Sequence, residues 1–380
     1  MYAQDAVLWK FQTGAAVYSS ATVSNNSVFF GSGDMNLYSL NKTTGALQWK
    51  FTTKGAVQST PAVSVGKVFV VSSDGNIYAV NQSTGKPDWV FNTNGEQQYG
   101  IWDYYLSSPV VENGIVYAGS GDSCVYALDA GTGRCIWKYK TGSIVHATPA
   151  LAGGVVYIGS YDGNFYALDA KTGKLKWKFK TVGDAYFPLG EIQKAAVIVD
   201  NTVIFGSRDY NIYALDANTG TGKWNMKELG SWIIATPLAY AGNIYFGTSD
   251  SHRFYCMDAK TGEVKWTLPL NMRVYGTACV AGGDIAFGCF NGKLYFVNPE
   301  TGKVNKVFQT EESKKHYSGI YNADDSFRND FELYGKDYKT SESKILALGS
   351  ILSTPLVEND LIYFGDANGN FYALSINAVK

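Results

Sequence analysis

The sequence predicts an all-β fold, a single eight-bladed β-propeller of four-stranded antiparallel blades spanning residues 1–380. Three observations carry this prediction: a phrase that recurs eight times, a near-constant spacing of the tryptophans that close it, and chain ends that each lack what the other supplies.

The phrase reads YSLNKTTGALQW at 38–49, YAVNQSTGKPDW at 78–89, YALDAGTGRCIW at 126–137 and YALDAKTGKLKW at 166–177. It returns as YALDANTGTGKW at 213–224, YCMDAKTGEVKW at 255–266, YFVNPETGKVNK at 295–306 and a truncated YALSINAVK at 372–380. Tryptophans stand at 9, 49, 89, 137, 177, 224 and 266, separated by 40, 40, 48, 40, 47 and 42 residues, which suits four short strands and their turns.

Within the second copy STPAV, KVFVV, NIYAV and DWVF read as the four strands. Asp-Gly and Thr-Gly pairs fall at the hairpin turns, where glycine takes a positive φ without a Cβ clash. Period-two alternation and many β-branched and aromatic residues argue against helices. The last copy supplies STPLV, LIYFG and NFYAL but no tryptophan strand, whereas the chain opens on AVLWKF with nothing before it. Ala6–Phe11 is therefore expected to complete the last blade, closing the ring and removing an exposed strand edge.

With 46% apolar and 17% charged residues the chain can bury a large core. Lysine plus arginine (32) nearly balances aspartate plus glutamate (33), so no overall field exists to hold nucleic acid or an acidic membrane surface. No apolar run approaches the ~20 residues of a transmembrane helix. Met1–Asp5 is too short for a signal peptide and reads as the stub of a removed one. Cys124, Cys135, Cys256, Cys279 and Cys289 lack metal-type CxxC spacing, lie in or beside strand-like runs, and read as buried thiols.

Function on a repetitive scaffold belongs to the segments that leave the repeat. Three such insertions, 94–107, 182–193 and 309–350, fall between the outermost strand of one blade and the innermost strand of the next, so all are expected on one face. Aligning the innermost strands places Tyr18, Gln58, Leu106, His146, Gln193, Ile234, Tyr275 and Leu352 around the channel mouth, with Lys194 replacing a residue that is small in most blades. Trp102 and Trp232 alone lie outside the repeat position. With Tyr99, Tyr104, Tyr105, Tyr186 and Tyr317 they are expected to form an aromatic platform for sugar rings, peptide or another flat ligand.

Each of these has a plainer structural reading. Insertion aromatics commonly pack a loop onto its scaffold, and His146 suits a hydrogen-bonded structural role. The turn residues Asp34, Asp74, Asp122, Asp162, Asp209 and Asp250 sit where aspartate ordinarily stabilises turns. Asp324, Asp325 and Asp330 do not follow an EF-hand pattern. No metal site, cofactor or convergent catalytic acid and base is assigned.

The repeated phrase resembles the tryptophan-docking motif of the PQQ-like, or quinoprotein-type, propeller family, Ala-x-Asp-x-x-Thr-Gly-x-x-x-Trp, over nearly the whole chain. The resemblance implies that Trp9, Trp49, Trp89, Trp137, Trp177, Trp224 and Trp266 pack between neighbouring blades, with Lys306 departing at the seventh. In size and blade count the chain is more similar to the non-catalytic, exported BamB-like branch than to the longer quinone-dependent dehydrogenases, whose frequent adjacent-cysteine disulfide has no counterpart here.

The resulting expectation is a monomeric, cofactor-free binding or scaffolding propeller, exported to the periplasm or the outer membrane, that presents its aromatic face to a protein or other envelope partner. Two alternatives stand beside it. One is a carbohydrate-binding or polysaccharide-cleaving propeller, with His146, Tyr18, Tyr275 and Lys194 moving protons in its enzymatic form. The other is a quinone-dependent dehydrogenase with Trp232 as its planar platform.

Overall fold

A computed structural model describes residues 6–100 and 102–380, so the stub assigned to Met1–Asp5 lies outside the described residues. Eight four-stranded antiparallel sheets follow one another around a ring. Numbered along the chain, blades 1 to 7 cover residues 22–52, 62–92, 110–140, 150–180, 197–227, 238–269 and 279–309, and blade 8 combines 356–375 with the strand Val7–Gln12. That strand pairs antiparallel with Asn370–Ser375 and shuts the ring as expected, one residue further along than Ala6–Phe11.

Each blade begins with a three-residue strand at the channel and ends with a six-residue strand at the rim. The two middle strands are buried almost throughout because both of their faces meet neighbouring blades, and their sequences are correspondingly apolar on both sides. Rim strands such as Leu47–Thr52 bury only alternate residues and carry lysine and glutamine between them. Parallel phenylalanine pairs clamp blade to blade: Phe30 on Phe371, Phe165 on Phe205 and Phe254 on Phe287, with ring centroids 3.9, 4.1 and 3.8 Å apart. Each such ring, fully withdrawn from water, contributes roughly 2–3 kcal/mol.

The seven motif tryptophans dock on the following blade. The Nε1–H of Trp137 donates to Ala170 O at 2.9 Å, and the equivalent bonds of the other six run from 2.9 to 3.2 Å. Each indole lies on the Thr-Gly turn of that blade, so close that a Cβ on Gly45, Gly85, Gly133, Gly173, Gly220, Gly262 or Gly302 would stand 2.6–2.8 Å from the ring. This contact explains Lys306. Blade 8 takes its rim strand from the other end of the chain and has no Thr-Gly turn, so a tryptophan at 306 would find no glycine to sit on. The Lys306 ammonium instead donates to Ile376 O at 3.3 Å, and Val307 N donates to Lys380 O at 2.9 Å.

The three insertions fall at the expected junctions, but 309–350 is not a plain polar loop. It folds into helix α1 (Glu311–His316), capped by the Thr310 side chain, and helix α2 (Tyr338–Leu346), capped by Asp337. Between them Tyr317, Tyr321, Phe327 and Phe331 stack in succession, with centroids 4.5, 5.1 and 5.3 Å apart. Ile320, Leu333, Ile345 and Leu348 point into the disc. Of the cysteines, all free, Cys124, Cys256 and Cys289 are buried as expected, whereas Cys135 and Cys279 are only half-buried.

Candidate functional site

In seven blades the second strand ends on a glycine, from Gly31 in blade 1 to Gly365 in blade 8. A valine or isoleucine entering the next blade packs against it so tightly that a Cβ would come within 2.2–2.4 Å of that residue. Blade 2 has Val71 there, and the residue entering blade 3 is Tyr105. Denied the usual seat, Tyr105 reaches across the channel. Its hydroxyl donates to Leu352 O at 2.8 Å, and Lys194 Nζ stands 3.1 Å from its ring centroid. Burial among these walls pushes the Lys194 ammonium down to about 7. Tyr104 fills the adjoining space, edge-on to Tyr18 at 5.2 Å, and donates its hydroxyl to Glu342 of α2.

Two polar clusters flank this plug. In the first, His146 is held at Nε2 by Glu96 (2.6 Å) and at Nδ1 by Asp103 (2.9 Å), while Tyr161 donates to Asp103 at 2.8 Å. Burial would lower the imidazole, but hydrogen bonds and charge from the two carboxylates raise it to about 9. The same contacts hold Asp103 below the usual carboxylate range against its own burial. Beside them the buried Arg208 guanidinium lies 4.6 Å from the Trp232 ring centre and 4.7 Å from that of Tyr99, and its Nε donates to Gln193 Oε1 at 3.2 Å. Tyr99 in turn donates to Glu191 at 2.9 Å.

The second cluster centres on Arg273, which is 1% exposed. Its Nη1 donates to Glu342 Oε2 at 2.7 Å and its Nη2 to the Tyr334 hydroxyl at 2.9 Å, and Tyr334 also contacts Asp250. Trp102 and Trp232 meet edge to face between the clusters, 5.9 Å apart, with Trp102 held at a φ of +71° that a bulky residue rarely adopts. Phe187 of the second insertion packs 4.7 Å from Trp232, and Tyr338 of the third lies 5.9 Å from Trp102. All three insertions therefore interlock on one face.

Against this geometry the aromatic platform is corrected for most of its members, while Tyr99 and Tyr186 remain exposed. Trp232 and Tyr275 are buried and Trp102 and Tyr104 half-buried, because each ring is spent on another ring or on an arginine. His146 and Gln193 are buried in the first cluster, Lys194 is stacked on Tyr105, and Tyr18 and Gln58 remain half-buried at the channel. The turn aspartates hold their expected places, accepting from Tyr38, Tyr78, Tyr126, Tyr166 and Tyr213 at 2.5–2.7 Å. Asp250 is the exception and turns to Tyr334 and Arg273. No motif in the sequence marks Glu191, Arg208 or Arg273. Glu191 and Arg273 occur two positions before the aligned ring, where blades 1 and 2 carry Ala16 and Ala56, and Arg208 replaces Gly33 and Ser73 of those blades.

The family described as outer membrane protein assembly factor BamB matches residues 2–108, 101–225 and 187–318. The chain belongs to that family. Among solved structures it is similar to BamB from Moraxella catarrhalis, at 16% identity and a TM-score of 0.73 over 97% of this chain and 99% of that one. A computationally designed protein, Ika8, is similar at 15% identity and a TM-score of 0.71, covering 96% and 97% of the two chains. A europium-containing methanol dehydrogenase is similar at 14% identity and 0.73, covering 97% and 93%. At these identities the solved structures establish the propeller alone. No curated protein sequence matches the chain.

The dehydrogenase likeness raises the fit of a quinone, and the residues at the BamB-like channel mouth do not suit one. Arg208 covers a face of Trp232, and Phe187 and Trp102 pack against the same indole in edge-to-face contacts. The cavity beside that indole measures about 60 Å³, far below the roughly 300 Å³ at which ligand pockets begin. A larger groove of about 580 Å³ shares none of these residues and runs between α1, α2 and the strand Val7–Gln12, with Lys10, Glu311, Glu312 and Lys344 on its walls.

Proposed function

We propose that this chain is a non-catalytic scaffold of the cell envelope whose capped face docks a protein partner. The observation that carries the reading is the distribution of exposed apolar side chains. Among the described residues the three most exposed large ones are Leu229 (95%), Tyr186 (80%) and Val182 (75%). Tyr186 and Val182 belong to the junction between blades 4 and 5 and Leu229 to the next junction, and Lys227 reaches Asp184 at 3.6 Å between the two. Apolar groups held in water on a rigid support, rimmed by charge, are the usual mark of a protein interface. The family's name, that of an outer-membrane assembly factor, supports an envelope partner of this kind.

The test is a photo-crosslinking residue placed in cells at Tyr186, at Leu229 and, on the opposite face, at the exposed Val65. A protein crosslinked from the first two positions and not from Val65 is expected. Its affinity for purified protein should fall more than tenfold on Tyr186→Asp with Leu229→Asp, with the thermal transition unchanged. Crosslinks absent from both positions, or equal at Val65, overturn the reading.

A further inference from the structure

The cavity of about 60 Å³ beneath the third insertion is walled by Trp102, Trp232, Asp250, Arg273, Tyr275 and Tyr334. Two hydrogen-bond donors of its walls, Trp102 Nε1 and Arg273 Nε, are buried and have no partner among the described residues. Buried donors left unpaired cost roughly 1–3 kcal/mol each, so two of them at one cavity identify a place where an acceptor belongs. Arg273 has spent its two Nη groups on Glu342 and Tyr334, and its Nε remains 3.9 Å from Asp250 Oδ1, beyond hydrogen-bonding reach. Ser249 bonds the Tyr275 hydroxyl at 2.8 Å and also reaches Asp250 Oδ1 at 3.2 Å, which leaves Asp250 Oδ2 as the acceptor without a hydrogen bond among the described residues.

The charges select the ligand. Glu342 neutralises Arg273, so an incoming carboxylate or phosphate would meet Asp250 without a free cation to receive it. An incoming ammonium has no lone pair to accept from the two unpaired N–H donors. What remains is a neutral group that accepts from two N–H donors and itself donates to a carboxylate, set against aromatic walls. The size narrows it further, since at about 10–15 Å³ each a cavity of this volume has room for only roughly four to six water-sized centres. A planar carboxamide with its methylene has that many heavy atoms, one oxygen with two acceptor sites, and an NH₂ that donates.

We propose that this cavity binds a primary carboxamide, the tip of an asparagine or glutamine side chain on the docked partner, with its oxygen on Trp102 Nε1 and Arg273 Nε and its NH₂ on Asp250. The proposal deepens the docking reading by naming the residue type that enters the face, and it is testable without a partner. Acetamide titrated into the uniformly ¹⁵N-labelled protein should shift the Trp102 indole N–H resonance, assigned by its loss in Trp102→Phe, with a saturating millimolar curve. Acetate, methylammonium and ethylene glycol at the same concentrations should not. Arg273→Lys, which keeps the charge beside Glu342 and removes Nε–H, should weaken acetamide roughly tenfold. If that variant fails to fold, Asp250→Asn should weaken it instead, by removing the acceptor for NH₂. An indole resonance that stays in place with acetamide, or moves equally with acetate or ethylene glycol, overturns the proposal and leaves the crosslinking result untouched. An equal response to the diol would mark the cavity as a hydroxyl site of the kind a glycan fills.

Discussion

Tyr105 and Leu352 are joined across the central channel by a 2.8 Å hydrogen bond, a tie between blade 3 and blade 8 that the repeat itself never makes. Tyr105→Phe should leave the Leu352 carbonyl buried without its donor and cost about 1–3 kcal/mol. Val71→Gly should reopen the seat that the other blades use and free the tyrosine from its position. Urea unfolding of the two variants reads the first effect, and loss of the Lys194 ring-current shift in the second reads the other.

The docking of each tryptophan on a glycine predicts a sharp contrast within one residue type. Gly173→Ala places a Cβ 2.6 Å from the Trp137 indole at a φ of +70° and should cost roughly 3 kcal/mol. Gly222→Ala meets nothing within 4 Å and no positive φ, so its melting temperature should stay within about a degree or two of the parent. Calorimetry of both decides.

His146 gives a pH dependence whose sign is set by its partners. The imidazole is raised from 6.5 in the unfolded chain to about 9 in the fold, against the lowering effect of burial, by Asp103 and Glu96. A group raised on folding stabilises fully below its unfolded value and loses that contribution as pH climbs through the folded one. Stability should therefore hold near pH 6 and fall between about pH 7 and 9, by roughly 3 kcal/mol for a shift of this size. In His146→Gln that step should vanish from a plot of unfolding free energy against pH.

Closure of the ring makes a fourth prediction. Removing residues 1–12 strips blade 8 of its rim strand, bares the edge of Asn370–Ser375 and uncovers Tyr363 and Phe371, which lie 5.9 and 6.0 Å from Trp9. The truncated chain should unfold well below the parent temperature and aggregate. Supplying the strand as a separate peptide should restore part of the loss.

The fold was legible because most blades repeat the same few devices. Thr-Gly leaves room for an indole, an aspartate or asparagine holds the hairpin turn, and apolar residues fill both faces of the middle strands. Even the missing tryptophan at Lys306 follows once the absent Thr-Gly turn of blade 8 is noticed. The channel mouth was harder to read because its chemistry lies in single departures from the repeat. Val71 in place of glycine is one methine and two methyls, yet it redirects Tyr105 and fills the channel. Arg208 and Arg273 give no local pattern, and only a comparison of equivalent positions across blades exposes them. The aromatic residues stand out in the sequence, but nothing in their spacing tells whether a ring faces water or another ring.

One consequence of the blade 8 pairing concerns the order of events during synthesis. Gln12 bonds Asn368 across 356 positions, so the strand that opens the ring must wait for the one that ends it before it finds its neighbour. The length-dependent part of that closure costs ~5 kcal/mol of chain entropy, recovered only when the final segment arrives. Until then seven finished sectors form an arc with two sticky margins, a state that a holding chaperone would recognise and that a crowded compartment would punish.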